Sequence, residues 1–170
     1  MTQQNLGFDY SGATMSKCGR YRYELSRFWS HAEPLLWIML NPSTANDVDD
    51  DPTIRRCIRF AQREGAGGII VCNLFALRST DPAALAKDED PVGPDNDSSI
   101  LHGASRAEKI VCAWGVHGTL GNRNLEVMRL LDKDGHKPFC LGFTKERHPR
   151  HPLYVKRNAA LLPFSVEAFR

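Results

Sequence analysis

Four apolar runs along the chain predict the core strands of a β-sheet. They occupy residues 35–40, 68–74, 109–114 and 138–141. The first three are apolar at nearly every position, which is typical of parallel strands covered by helices on both faces. One earlier segment differs, because Tyr21, Tyr23 and Leu25 alternate with polar residues. This period of two predicts a half-buried strand at an edge of the sheet.

Helical periodicity fills the intervals between these runs. The clearest helix spans residues 52–64, and Asp51 suits its N-cap while Gly65 suits its end. Its apolar stripe consists of Ile54, Cys57, Ile58 and Ala61. Residues 97–107 and 120–131 carry similar patterns. Alternating strands and helices predict an α/β fold, a three-layer αβα sandwich with a mostly parallel central sheet.

The chain has no internal repeat and no linker rich in proline or glycine. We therefore predict a single α/β domain over residues 18–170, preceded by a loosely ordered tail at residues 1–17. The tail has neither the basic start nor the apolar stretch of a signal peptide. No apolar run approaches the ~20 residues that a membrane-spanning helix needs. A cytoplasmic protein that does not enter membranes is the expectation.

Composition and charge exclude few functions. Hydrophobic residues make up 42% and charged residues 25% of the chain, as in ordinary globular proteins. The net charge of +2 does not require a polyanionic partner, but it leaves local binding of nucleic acid open. The five cysteines form no closely spaced pair. We expect reduced, structural thiols and no metal or cofactor.

Polar residues follow the predicted core strands at their carboxyl ends. Asn41 follows the first run, Asn73 lies near the end of the second and Trp114 ends the third. The fourth run leads to two His-Pro pairs, which begin at His148 and His151. Right-handed crossovers place these strand ends along one edge of the sheet, where ligands bind. The sequence therefore predicts a pocket, to which we also assign Pro42, Ser43, Thr44, Phe75, Arg78, His117 and Tyr154.

The segments at these strand ends, taken in order, resemble motifs of the uracil-DNA glycosylase superfamily. MLNPST is similar to its first-strand motif G-x-[DN]-P, and VCNLFAL is similar to its leucine-rich second-strand end. AWGVHG resembles its W-G-x-x-A pattern, and HPRHPLY resembles its H-P-S-P-L motif. The resemblance implies a uracil-DNA-glycosylase-like fold that recognises a nucleobase. It also implies hydrolysis of the N-glycosidic bond of a damaged or modified base in DNA.

The resemblance further implies roles for individual residues. Breaking an N-glycosidic bond builds positive charge on the sugar and negative charge on the departing base. Asn41 would position the attacking water, and Asn73 would bind the Watson–Crick edge of the base with its amide. His151 or His148 would stabilise the departing base, and the residues after His151 match the motif better.

A closer resemblance is to the bacterial family catalogued as domain of unknown function 1643. It is carried by YRYELSRFW, MLNPSTA, DDDPTIRRC, NLFALRSTDP, DPVGPDND and HPLY. This family implies no activity, so two other functions stay open. The protein could bind or hydrolyse a free nucleotide, nucleoside or nucleobase without DNA, as the acidic run at residues 49–51 favours. It could also be a non-catalytic member of the fold, since Asn41 stands in place of an aspartate.

Several of these residues also have simpler structural interpretations. A buried amide such as that of Asn73 can serve to fix a loop by a hydrogen bond. Trp114 is typical of a hydrophobic core, and the acidic run at 49–51 is typical of a helix N-cap, with a metal site as the sharper alternative. Residues 21–23 are predicted as edge-strand residues rather than as ligand contacts.

Overall fold

The computed structural model describes residues 9–169 and shows a β-sheet with helices on both faces. The strands are β1 (Tyr10–Met15), β2 (Arg22–Phe28), β3 (Leu35–Met39), β4 (Gly68–Asn73), β5 (Lys109–Cys112), β6 (Phe139–Cys140) and β7 (Leu162–Pro163). The helices are α1 (Pro52–Arg63), α2 (Asn96–Arg106) and α3 (Arg123–Lys133). Short 3₁₀ segments lie at Pro82–Lys87, Gly115–Asn122, Pro152–Tyr154 and Val166–Phe169.

The sheet has seven strands in the order β1-β2-β4-β3-β5-β6-β7. β3 lies at the centre and pairs in parallel with β4 and β5, and β5 pairs in parallel with β6. The pairs β1–β2, β2–β4 and β6–β7 are antiparallel. The predicted α/β class is therefore confirmed. The sheet is mixed rather than mostly parallel, because both of its margins are antiparallel.

Alternate residues of the central strand β3 face two separate hydrophobic cores. Leu36 and Ile38 pack in the core that contains the buried residues of α2 and α3. Leu35 and Trp37 pack in the core that contains the buried face of α1. Both faces of β3 are thus covered by helices, which explains why its sequence is apolar without alternation.

The strand β2 lies inside the sheet, between β1 and β4, and the predicted edge position is wrong. Its polar residues Arg22, Ser26 and Arg27 are buried, so the period of two reflects buried polar side chains rather than a solvent-facing surface. The outer neighbour of β2 is Tyr10–Met15, which forms β1 where we expected a loosely ordered tail. Residues 1–8, which belong to the same prediction, lie outside the described residues.

The helix α1 begins and ends close to the predicted positions. The Asp51 carboxylate accepts a hydrogen bond from the Ile54 backbone N–H at 2.9 Å and so caps the helix. Gly65 follows the helix with φ of +76°. The third helix, in contrast, begins later than predicted. Gly121 and Asn122 adopt left-handed φ values of 59° and 57°, which separate the preceding 3₁₀ segment from α3.

The cysteines are free thiols, as expected from their spacing. Cys57, Cys72, Cys112 and Cys140 are buried, and Cys18 is exposed. Burial raises the pKa of the Cys72 thiol, which keeps it protonated at neutral pH. Within residues 9–169, no helix combines the length and apolar character needed to cross a bilayer.

Candidate functional site

A cavity of about 600 Å³ lies at the carboxyl ends of β3, β4 and β5. Asn41 comes just after β3, Asn73 ends β4 and Trp114 comes just after β5, so three adjacent parallel strands each place a polar group there. His151 and Tyr154, which follow β6 in the chain, also line it. We call this space the strand-end cavity. Its volume is typical of small-molecule sites.

The structure brings together most of the predicted site residues. Those that line the strand-end cavity are Asn41, Ser43, Asn73, Trp114, His117, His151 and Tyr154. The predicted residues that do not line it are Pro42, Thr44, Phe75, Arg78 and His148. The two His-Pro pairs are thereby distinguished, because His151 faces the cavity and His148 does not.

Each residue outside the cavity has a local reason for its placement. Pro42 and Thr44 alternate along the loop with the cavity-facing residues, and the Pro42 carbonyl accepts a hydrogen bond from Ser79 N–H at 3.0 Å. Phe75 is buried in the hydrophobic core. Arg78 is exposed and donates to the Gly19 carbonyl at 3.3 Å. His148 belongs to a turn, where its backbone N–H donates to Thr144 Oγ1 at 3.1 Å.

The Asn41 amide has its orientation fixed by the neighbouring loop. Its Nδ2 donates to the Ser79 carbonyl at 2.9 Å and to the Pro42 carbonyl at 3.2 Å. Both contacts use the donor end of the amide. Oδ1 is therefore the end that can accept a hydrogen bond from a water or ligand in the cavity.

The Asn73 side chain is buried, yet its Nδ2 finds no acceptor among residues 9–169. The interpretation of this amide as a loop-fixing group is wrong, since a different residue has that role. Asn96 Nδ2 donates to the Asn73 and Leu74 carbonyls at 2.9 and 3.0 Å. The backbone at the end of β4 is thus fixed by Asn96, and Asn73 Nδ2 is left buried without a partner among residues 9–169, in a residue that lines the cavity.

Trp114 combines a core position with a cavity position. Its ring packs edge-on against Phe164 with a centroid distance of 5.7 Å. A Cβ at Gly118 would lie only 2.4 Å from Trp114 Cδ1, so glycine is required there for the ring to keep its place. The indole Nε1 is buried and has no acceptor within the described part of the chain. The prediction that Trp114 belongs to the hydrophobic core is right for its ring, and the indole N–H makes no hydrogen bond within the described residues.

His151 is held as a neutral imidazole, and its second nitrogen makes no hydrogen bond within residues 9–169. Its Nδ1 accepts a hydrogen bond from the Leu153 backbone N–H at 3.2 Å. Burial lowers the pKa of His151, and the nearby charge of Asp51 opposes this only in part. At neutral pH, Nε2 therefore carries the proton and can donate to a ligand. The Tyr154 ring lies beside it, at a centroid distance of 5.6 Å.

Arg22 lines the strand-end cavity, although the sequence predicted it as an edge-strand residue rather than a ligand contact. Its side chain is only 3% exposed; one guanidinium nitrogen donates to the Ala45 carbonyl, and Nε has no acceptor in residues 9–169. Burial lowers the pKa of Arg22 to about 10, and the Asp51 carboxylate opposes this shift. The residue is still cationic at neutral pH. The alternating pattern of β2 concealed it, because buried and solvent-facing polar residues give the same period.

The acidic run at residues 49–51 separates into three different environments. Asp49 accepts from Asn46 Nδ2 at 3.0 Å, and Asp50 pairs with Arg27 at 2.9 Å. Asp51 caps α1 and also lines the strand-end cavity. Across residues 9–169, no three His, Cys, Asp or Glu side chains are grouped as a metal site would require. The N-cap interpretation is confirmed, and Asp51 adds a carboxylate to the cavity.

The elements that build this site lie within a segment that matches a protein family. A family model described as "Protein of unknown function (DUF1643)" matches residues 22–153. The chain belongs to the DUF1643 family. The match begins at Arg22 and ends at Leu153, and both residues line the strand-end cavity of this DUF1643 protein. No curated protein and no solved structure matches the chain.

Proposed function

We propose that this DUF1643 protein binds a nucleobase in the strand-end cavity and hydrolyses the N-glycosidic bond between that base and its sugar. One observation carries the proposal. Among the cavity-lining residues, Arg22 Nε, Asn73 Nδ2 and Trp114 Nε1 are buried donors that lack an acceptor in the described chain. Unpaired buried donors are costly, and side-chain rotation on binding would let a ligand rich in acceptors remove that cost. A nucleobase offers carbonyl oxygens and ring nitrogens on a flat frame.

The remaining groups in the cavity match the needs of hydrolysis. In the proposed step, the water oxygen bonds to the sugar carbon, and the electron pair of the C–N bond departs with the base. The Asp51 carboxylate accepts the proton of the water, while Asn41 Oδ1 orients that water. His151 Nε2–H donates to the departing base and stabilises its negative charge. The ordered resemblance of four segments to uracil-DNA glycosylase motifs supports the same chemistry.

Release of a free base tests this proposal. The protein is incubated with oligonucleotides that contain uracil, hypoxanthine or another modified base, and with the matching nucleosides. Chromatography then measures the free base, and alkali reveals strand breaks at abasic sites. We expect release by the wild type and a loss of at least about 100-fold in Asn73→Ala and His151→Gln. His102→Gln, an exposed substitution on α2, is the matched control and retains full activity.

Two outcomes separate the parts of the proposal. Binding of a base without release of any base would reject the hydrolysis and retain a binding protein. If a broad panel of bases, nucleosides and oligonucleotides neither binds nor reacts with folded protein, the nucleobase site itself is rejected.

A second candidate function is binding or hydrolysis of a free nucleotide. The observation that favours it is the buried cation of Arg22, which forms no ion pair within residues 9–169, although the Asp51 carboxylate is near enough to raise its pKa. A nucleotide phosphate would pair with this guanidinium. Thermal-shift measurements with a base, its nucleoside and its monophosphate distinguish the two candidates. Greater stabilisation by the monophosphate that disappears in Arg22→Met favours the second one.

A further inference from the structure

A second groove, lined by different residues from the strand-end cavity, runs along α1. It has a volume of about 470 Å³, and its lining residues are Arg56, Arg59, Phe60, Arg63 and Arg157. We call it the arginine groove. Four of its lining residues are cations, and the fifth is an aromatic residue of the hydrophobic core.

Two of these arginines donate hydrogen bonds to backbone carbonyls of the segment at residues 155–157. Arg56 Nη2 donates to the Val155 carbonyl at 2.6 Å, and Arg63 Nη1 donates to the Arg157 carbonyl at 2.9 Å. Both guanidinium groups also lie near the Phe60 ring, at 5.3 and 4.8 Å from its centroid. These contacts fix both guanidinium positions, and Arg56 forms no ion pair with a carboxylate in the described residues.

The positive charge of the groove is poorly compensated by the protein itself. Arg63 pairs with Glu64 at 2.9 Å, whereas Arg59 and Arg157 have no carboxylate partner in the described residues. The whole chain carries a net charge of only +2, so this concentration of arginines is local. Like charges held together repel one another, and a ligand with several negative charges relieves that repulsion.

The arginine groove is joined to the strand-end cavity by two elements. In one, His151 and Tyr154 line the cavity, while Val155 and Arg157 contact the groove arginines through their carbonyls. In the other, Asp51 lines the cavity at the start of α1, and Arg59 lies about 12 Å further along the helix axis. This axial spacing corresponds to a short run of nucleotides in a strand.

We propose that the arginine groove binds the phosphate backbone of a nucleic-acid strand whose target base lies in the strand-end cavity. The assignment of a base to the cavity rests on the proposed function. The assignment of phosphate to the groove rests on the charges of the groove arginines. Guanidinium groups match the oxygens of phosphate, and a strand presents phosphates at regular short intervals. An acidic peptide would satisfy the groove alone but has no base for the adjoining cavity.

Fluorescence anisotropy with a labelled single-stranded oligonucleotide that carries the target base tests this inference. Arg59→Glu combined with Arg157→Glu should weaken binding at least about 10-fold. The slope of log affinity against log salt concentration should also become shallower, by the amount that corresponds to the loss of about two phosphate contacts. The matched control is Arg129→Glu combined with Lys133→Glu, which changes the charge equally at exposed positions of α3. We expect the control to stay within about twofold of the wild type.

Several outcomes would overturn the inference. One is an equal loss of affinity in the α3 control, which would show a general charge effect. Another is displacement of the oligonucleotide by polyglutamate as readily as by unlabelled strand. Arg59→Ala combined with Arg157→Ala serves as the second test if the glutamate variant fails to fold, and unchanged affinity in it rejects the groove.

The cavity and the groove are tested separately by Asn73→Ala. If the groove variants weaken strand binding while Asn73→Ala changes neither base nor strand binding, the base in the cavity is rejected and the phosphate-binding groove stands. If Asn73→Ala abolishes base binding while the groove variants bind the strand normally, the groove is rejected and the proposed function stands.

Discussion

Arg22 has a cost in the folded protein that the protein alone does not offset. The side chain is buried, its Nε lacks an acceptor within residues 9–169, and burial lowers its pKa to about 10. A buried charge without a carboxylate partner contributes little to stability and often reduces it. This cost is expected for a residue that binds a ligand, because functional residues often lower the stability of the folded protein.

Replacement of Arg22 by methionine should therefore separate binding from stability. We expect Arg22→Met to lose at least about 10-fold in ligand affinity, with a free energy of unfolding within about 1 kcal/mol of the wild type. Urea unfolding and titration calorimetry measure the two quantities. Arg27→Met on the same strand is the matched control, because Arg27 pairs with Asp50 and should lose about 2 kcal/mol of stability. A larger stability loss at Arg22 than at Arg27 contradicts this assignment.

His151 gives a prediction about pH. Its pKa is lowered in the folded protein, so the unfolded chain takes up the proton first as the pH falls below about 6.5. The stability contributed by the neutral ring is therefore complete above that pH and is lost as the pH falls toward the folded-state pKa. Urea unfolding at pH 7 and pH 5 should show a larger drop in the wild type than in His151→Gln. Equal drops contradict a neutral, half-buried imidazole.

At the scale of elements, the helix α1 serves both sites through its two ends. Its N-cap Asp51 lines the strand-end cavity, and its later turns carry the arginines of the groove. Asparagine caps a helix about as well as aspartate, whereas alanine does not. Asp51→Asn and Asp51→Ala therefore distinguish the helix-capping role of Asp51 from the role of its negative charge.

Asp51→Asn should retain stability and Asp51→Ala should lose about 1 kcal/mol. If the carboxylate accepts the proton of the attacking water, both variants should release base at least about 100-fold more slowly than the wild type. Urea unfolding and rates of base release measure these effects. Full activity of Asp51→Asn would remove the carboxylate from the proposed step and leave Asp51 as a cap.

Elements with their own local signals could be predicted from the sequence. The apolar stripe, Asp51 cap and Gly65 end of α1 defined the helix to within a residue or two. β1 could not be predicted in the same way, because YSGATM has no apolar alternation and pairs with β2 mainly through its backbone. The position of β2 depended on that pairing. An interior strand with buried arginines is indistinguishable in sequence from an edge strand.

At the scale of the whole molecule, parallel topology made the candidate site predictable. Polar residues after the apolar runs had to meet once β3, β4 and β5 were parallel neighbours, and Asn41, Asn73 and Trp114 do line one cavity. The arginine groove was not predictable. It arises where residues 155–157 pack against α1, and these segments are about 100 positions apart in the chain.

Binding of a nucleobase in the strand-end cavity can be followed by the indole N–H signals in ¹H–¹⁵N NMR spectra. Trp114 lines the cavity and its buried Nε1–H has no acceptor within residues 9–169, whereas Trp29 Nε1–H donates to the Ala66 carbonyl at 2.9 Å and serves as the internal control. Titration with bases, nucleosides and an oligonucleotide should shift the Trp114 signal in a saturable way and leave Trp29 in place. A panel in which no compound moves Trp114, or in which both signals move alike, contradicts the account.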